Sequence, residues 1–202
     1  MVNIIYEDKN LVALNKPAGV NFDWALSFRK DLFPVHRLDK DTSGVILFAK
    51  SEKSAEHLKN LFQTRQIKKT YYALVVGVVK QNSGLIELSI GRSERTPLKR
   101  ISVGKKVGTL REAETYYEVE KRFTDFTLLR VEPKTGRTHQ IRSHLSAIHY
   151  PIACDKLYGG KNMKCPAGLI RQFLHAQSIE FEGLKIEADL PEDLKKALDM
   201  LG

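Results

Sequence analysis

Long hydrophobic runs are missing from this chain of 202 residues; no segment approaches the roughly 20 consecutive apolar residues that span a bilayer. The first eight residues hold acidic side chains and no apolar stretch, so no signal peptide is expected there. Cysteine is almost absent, with Cys154 and Cys165 alone. Their spacing suits no zinc site and suggests no paired framework, so a reducing, cytoplasmic setting is expected. Acidic residues are outnumbered, 24 against 33 Lys and Arg, which leaves a net charge of +9. A folded protein this basic is a candidate binder of a polyanion, with nucleic acid the commonest. An anionic membrane competes for that role, but no polybasic amphipathic helix supports it. Low-complexity tracts, linkers and repeats are also missing. With 42% hydrophobic residues the chain can bury a sizeable core, and a single domain over 1–202 is expected.

What is present reads mostly as strands. Residues 3–7 and 11–15 are short β-rich runs around the turn triplet Asp8-Lys9-Asn10, a hairpin pattern. Lys16-Pro17-Ala18-Gly19 then turns the chain out of the strand. Residues 21–34 carry Phe22, Trp24, Phe28 and Phe33 with no clean period and no assignable element. Ser51 is placed to cap a helix over 52–65 whose Ala55, Leu58, Leu61 and Phe62 share one face. Strands are predicted over 70–76, 84–90, 111–121 and 125–132, with a basic, turn-rich arm between Gly91 and Gly108. That arm holds Arg92, Arg95, Lys99, Arg100, Lys105 and Lys106, and reads equally as a solvated loop or a ribbon standing off the core. Thr135 or Thr138 is predicted to cap a helix to 147, further short strands fall within 169–187, and Pro191-Glu192-Asp193 opens a last helix. The class is α+β, with mostly antiparallel strands.

The histidines discourage a metal site. His139, His144 and His149 recur every five residues, which turns about 140° per step on a helix and scatters them around its axis. No Walker-type loop occurs, and Ser43 has no Gly-x-Ser-x-Gly elbow. What remains is carboxylate chemistry centred on Asp39, in the stretch Val35-His36-Arg37-Leu38-Asp39-Lys40-Asp41-Thr42-Ser43-Gly44 that runs into the apolar strand 45–49. Two readings fit those residues: a solvated turn in which Asp39 pairs with Arg37 or Lys40, or a loop delivering a catalytic carboxylate from a rigid strand.

His36-Arg37-Leu38-Asp39-Lys40-Asp41-Thr42-Ser43-Gly44 resembles the signature loop of the RluA-type RNA pseudouridine synthases. Lys69-Thr70-Tyr71-Tyr72-Ala73-Leu74-Val75 with Gly77 resembles that family's second motif, and Thr135-Gly136-Arg137-Thr138-His139-Gln140-Ile141-Arg142 its third. Lys16-Pro17-Ala18-Gly19, Tyr150-Pro151-Ile152 with Asp155 and Tyr158-Gly159, and Leu174-His175-Ala176 also fit, so the resemblance covers residues 3–195 in the family's order. Two departures are visible: the segment between Gly19 and Val35 is short for the family, and Cys154 stands where Gly is usual.

The resemblance implies a mixed, mostly antiparallel central sheet flanked by helices and loops, with an RNA-binding cleft. It also implies isomerisation of uridine in RNA to pseudouridine without a cofactor or metal. Asp39 would act at the ribose, by attacking C1′ or by removing a ribose proton; Arg142 would oppose its charge. Tyr71 would pack on the base and help remove the C5 proton, and Ile141 would form an apolar wall. Arg37 would fill the stacking position that the extruded base leaves, with His36 assisting there or holding the structure. Thr42, Lys69, Arg137, His139 and Gln140 complete the residues expected to bind substrate. Phosphate contacts by Arg65, Lys68, Lys69 and the basic arm would give the positive charge its purpose. The expected partner is a stem-loop of large-subunit rRNA or tRNA, and a compact core without an N-terminal accessory domain favours a tRNA arm. A monomer is expected. A non-catalytic RNA-binding or chaperone module of the same fold is the alternative. A glycosidase using Asp41 or Asp155 as second acid is a third class.

Overall fold

The computed structural model describes residues 3–93, 99–102 and 110–202. Among them the elements run β1 (Asn3–Glu7), β2 (Leu11–Lys16), β3 (Phe33–Pro34), β4 (Ser43–Ala49), α1 (Glu52–Gln63), β5 (Lys68–Val76), β6 (Ser83–Glu87), β7 (Ile90–Arg92), β8 (Arg100–Ser102), β9 (Glu114–Arg122), β10 (Phe126–Pro133), α2 (Gln140–Ala147), β11 (Leu174–Phe181), β12 (Leu184–Glu187) and α3 (Glu192–Asp199). The class is α+β, as predicted. None of the described helices is long and apolar enough to cross a membrane. The chain forms two compact units, Met1–Thr70 with His175–Leu190, and Tyr71–Leu174 with Pro191–Gly202.

In the first unit, β1 and β2 form the predicted hairpin, closed by Asp8, whose Oδ1 accepts the Asn10 and Leu11 amides at 2.7 and 2.9 Å. β2 pairs antiparallel with β4 from Leu11↔Ala49 to Lys16↔Gly44. All seven residues of β4 are buried, so both its faces are covered. Val45, Leu47 and Ala49 pack on the apolar face of α1, where Ala55, Leu58 and Leu61 lie. Each large aliphatic side chain buried this way contributes about 1.5–3 kcal/mol. Ser51 caps the helix, its side chain accepting the Ser54 amide at 3.2 Å. On the other face Phe48 meets Trp24 edge-on at 6.4 Å between ring centroids. That contact explains residues 21–34: a 3₁₀ turn (Trp24–Ser27) and the two-residue β3 lay their aromatics on β4, elements too short to carry a period.

The second neighbour of β4 is β11, parallel to it, with His175 opposite Ser43 and Ala176 opposite Gly44. Gly44 has φ +115°, and a Cβ there would lie 2.1 Å from the Ala176 carbonyl oxygen. Only glycine fits this crossing. β11 and β12 form a hairpin whose turn residues Glu182 and Gly183 both have positive φ, 48° and 77°, matching the twist of the strands.

In the second unit β5, β10, β9 and β6 pair antiparallel in that spatial order, with Tyr71 opposite Val131. The strand predicted over 84–90 ends at Glu87. Ile90–Arg92 instead pairs with Arg100–Ser102 as a two-stranded ribbon at the root of the basic arm. Arg95, Lys105 and Lys106 lie outside the described residues. Neither Thr135 nor Thr138 caps α2; the cap position is His139 with φ 56° and no side-chain cap. Thr135 instead donates to Gln140 Oε1 at 2.7 Å, so a side-chain amide closes this loop in place of a hydroxyl cap. The expectation that the cysteines form no pair is also overturned. Cys154 and Cys165 are joined as a disulfide, with Cα atoms 4.9 Å apart. The chain turns back between them, and the Cys154 amide donates to the Lys164 carbonyl at 3.0 Å. α3 opens at Pro191 as expected, and Asp193 in its first turn receives Arg171 through two bonds of 2.6 and 3.0 Å.

The Gly44 crossing yields a measurable contrast. Gly44→Ala combines backbone strain with a backbone clash and should cost about 2–5 kcal/mol of unfolding free energy. Gly183→Ala, with φ +77° and open space at its Cβ, should cost only about 1 kcal/mol. Urea titrations of the two variants measure both; equal losses would remove the role given to the Ala176 contact.

Candidate active site

The loop between β3 and β4 carries Asp39, and buried groups hold it from beneath. Lys16 ends β2 with no exposed surface. Its ammonium donates to the carbonyls of Pro17, Val20 and Lys40, each at 2.9 Å. The Gly19 amide reaches the same Lys40 oxygen at 3.0 Å, so the Lys16-Pro17-Ala18-Gly19 turn and the Asp39 loop are laced together. The Thr42 amide then closes a turn on the Asp39 carbonyl at 3.1 Å. Leu38 and Thr42 are buried on either side, Asp39 itself is half-buried, and Lys40 and Asp41 face solvent. The downstream end is locked by His175, also without exposed surface. Its Nε2 donates to the Ala188 carbonyl at 3.0 Å, which leaves Nδ1 to accept the Ser43 hydroxyl at 2.9 Å.

His36 and Arg37 point different ways. His36 Nε2 accepts the Leu47 amide of β4 at 2.8 Å, and its ring lies 4.7 Å from that of Phe62. Burial, with the Lys69 cation nearby, lowers its pKa to about 3, so the ring is neutral and acts as an acceptor. Lys69 is itself desolvated, its pKa lowered to about 8. Arg37 is exposed, its guanidinium carbon 5.2 Å from the Phe22 ring centroid. That cation and ring offer a stacking surface.

In the second unit, Tyr71 lies half-buried on β5. Arg142, on α2, is gripped by Asp155: Nε reaches Oδ2 at 2.7 Å and Nη2 reaches Oδ1 at 2.9 Å. Oδ1 also accepts the amides of Leu157 and Tyr158 at 3.0 Å each, so this fully buried carboxylate has four donors. Such satisfaction is what a buried ion pair requires. Gln140 is a brace. Its amide group donates to Glu114 O and Thr115 Oγ1 at 2.9 and 3.0 Å, and its oxygen accepts from Thr135 Oγ1 and the Arg137 amide at 2.7 and 2.9 Å. Arg137 Nε donates to the Glu112 carbonyl at 3.1 Å. Ile141 is buried, and His139 Nδ1 lies 3.2 Å from the Tyr158 hydroxyl. Among the described residues no three His, Cys, Asp or Glu side chains are grouped to hold a metal ion.

The structure thus gathers His36, Arg37, Asp39, Thr42 and Lys69 in the first unit, and Tyr71, Arg137, His139, Gln140, Ile141 and Arg142 in the second. Sequence reasoning missed Lys16, His175 and Asp155 as the groups that hold these loops. Lys before Pro reads as a surface turn, and a lone His between Leu and Ala carries no chemical pattern. Asp155 was legible only as a motif residue; held by four donors, it is unsuited to serve as a glycosidase acid.

A family model described as RNA pseudouridylate synthase matches residues 10–147. Ribosomal large subunit pseudouridine synthase C of Escherichia coli is 35% identical over 98% of this chain and 69% of its own length. Its counterpart in Pasteurella multocida is 37% identical, over 98% of this chain and 67% of its own. Among solved structures, human RNA pseudouridylate synthase domain containing 4 superposes with TM-score 0.80 at 27% identity, covering 98% of this chain and 92% of that one. Human RNA pseudouridylate synthase domain containing 1 gives TM-score 0.84 at 23% identity over 98% and 87%, a likeness of fold.

The neutral His36 has a consequence for stability. Unfolded, its pKa returns to about 6.5, so between about 6.5 and 3 the unfolded chain binds the extra proton. Its contribution is fully present above pH 6.5 and is lost as pH falls through that window, at up to about 1.4 kcal/mol per pH unit. Denaturant titrations at pH 7.5 and 5.5 should show a smaller loss in His36→Gln than in the parent protein; equal losses would contradict the neutral, accepting ring.

Proposed function

The chain belongs to the RNA pseudouridylate synthase family, and from that premise we propose that Asp39 carries its reaction and that large-subunit ribosomal RNA is its substrate. The protein is an enzyme that isomerises uridine in RNA to pseudouridine. In that reaction the bond from N1 to C1′ breaks, the base turns, and C5 bonds to C1′. The product has the atoms of the substrate, so the chemistry calls for no redox partner or group donor.

Asp39 supplies the carboxylate, acting on C1′ as a nucleophile or on a ribose proton as a base. The observation that supports this most is its setting: a half-buried carboxylate on a loop laced by Lys16 and locked by His175. A reacting group held this firmly by buried neighbours is the arrangement that positional catalysis needs. Tyr71 stacks on the base and assists removal of the C5 proton, Arg142 provides positive charge, and Ile141 an apolar wall. Arg37, with Phe22 beneath it, replaces the extruded uridine in its stack. Extrusion costs a few kcal/mol, which phosphate contacts by Lys and Arg offset, so binding weakens steeply with salt. The printed names of the relatives favour the large-subunit RNA over a tRNA arm. A monomer working in the cytoplasm completes the reading. A binding-only module of the same fold would have no use for a carboxylate seated in this way.

Tritium release from C5-labelled uridine tests the reading. Large-subunit rRNA should release label with the parent protein, and Asp39→Asn should lower turnover by about a thousand-fold or more. RNA affinity of the variant should stay within about three-fold, because the substitution touches no phosphate-binding cation. Retained turnover removes Asp39 from the role; release from tRNA alone removes the substrate assignment.

A further inference from the structure

Tyr158 is 4% exposed and stands where three parts of the second unit meet. The Arg142 guanidinium carbon lies 5.1 Å from its ring centroid, and the Lys99 ammonium 5.2 Å from the same centroid. Its hydroxyl accepts the Arg100 amide at 2.7 Å, at the start of β8. The same hydroxyl is 3.2 Å from His139 Nδ1, and the two rings meet edge-on at 5.8 Å. Its own amide donates to Asp155, the carboxylate that grips Arg142. Packing alone would explain a buried ring. It does not explain why the phenol bonds the start of β8 while Lys99 and Arg142 both stand about 5 Å from the ring centroid.

We propose that Tyr158 is a positioning residue that couples capture of an RNA phosphate by the β7–β8 ribbon to the placement of the Arg142 guanidinium. The inference rests on the role given to Arg142 above. Two cations share one aromatic quadrupole, and each weakens the other's hold by like-charge repulsion. A phosphate that draws Lys99 away leaves the ring to Arg142 and removes a positive charge from beside it. The hydroxyl bond to Arg100 keeps the ribbon root in place while this happens, so the ribbon's grip on RNA is felt at α2. Arg92 and Arg100, paired across the ribbon, add phosphate-binding charge close to the Tyr158 hydroxyl.

The test is steady-state kinetics on large-subunit rRNA for the parent protein, Tyr158→Phe, Lys99→Gln and the double variant, with Tyr158→Leu beside them. Tyr158→Phe loses the hydroxyl bonds and keeps the ring, so KM for RNA should rise about five-fold while kcat stays within about two-fold, the worth of one hydrogen bond. Lys99→Gln should raise KM and lower the slope of log affinity against log salt by about one. In the double variant the KM effects should combine to less than their product, because both act through one ring. Tyr158→Leu removes the ring and should lower kcat about ten-fold, a loss that Phe does not cause. Any other pattern in the Phe and Gln cycle overturns the coupling, including independent KM effects or a lowered melting temperature with unchanged KM. Should the Leu variant not fold, that cycle decides alone. A parent protein that forms no pseudouridine defeats the functional reading instead, so the two failures are distinguishable.

Discussion

The Lys16 ammonium, with no exposed surface, meets the carbonyls of Pro17, Val20 and Lys40, and the loop bearing Asp39 depends on that contact. Burying a charge is costly unless donors and acceptors are matched, and here three N–H groups find three backbone oxygens. Lose the ammonium and the Pro17 and Val20 carbonyls lose its N–H groups, each at about 1–3 kcal/mol if left unsatisfied, while Lys40 O keeps only the Gly19 amide. From Lys40 the support runs on through the turn at Thr42, the Ser43 bond to His175, and the crossing of Gly44 over Ala176. A half-exposed carboxylate is thereby placed by atoms that solvent does not reach. Its geometry is set before any substrate arrives.

The second unit solves a similar problem with an ion pair. Arg142 is held by a carboxylate that two backbone amides also hold, so only small adjustments of the guanidinium keep the buried bidentate contact. Gln140, two residues earlier, ties the preceding loop to β9 with all four of its hydrogen-bonding positions. In both units buried, hydrogen-bonded neighbours hold these groups. The ion pair's value here is orientation, since buried pairs add little net stability.

How much of this was legible depends on whether a feature is local. The Asp8 hairpin, the Ser51 cap and the opening of α3 follow from turn and cap chemistry within a few residues, and the structure matches them. Residues 21–34 were not legible, because a 3₁₀ turn and a two-residue strand are held by Trp24 on Phe48 and carry no period of their own. The start of α2 was misplaced because Gln140, bonded to strand residues distant in sequence, overrides the intrinsic preference for a hydroxyl cap and leaves His139 left-handed. Cys154 and Cys165 meet through a turn that their spacing does not encode. Asp39, Tyr71 and Arg142 are singled out by the resemblance, whereas the hydrogen bonds of Lys16, His175 and Asp155 lie in tertiary contacts that their motif positions do not encode.

The parallel partner of β4 is β11, and the Ser43–His175 bond joins residues 132 apart in the chain. A ribosome making this protein therefore completes the Asp39 loop long before the strand that clamps it. Until residues 174–181 emerge, Gly44 has no carbonyl to cross and Ser43 no imidazole to engage. Non-local strand pairing of this kind is slow to close. The nascent chain is thus a basic polypeptide in which the Asp39 carboxylate is not yet seated.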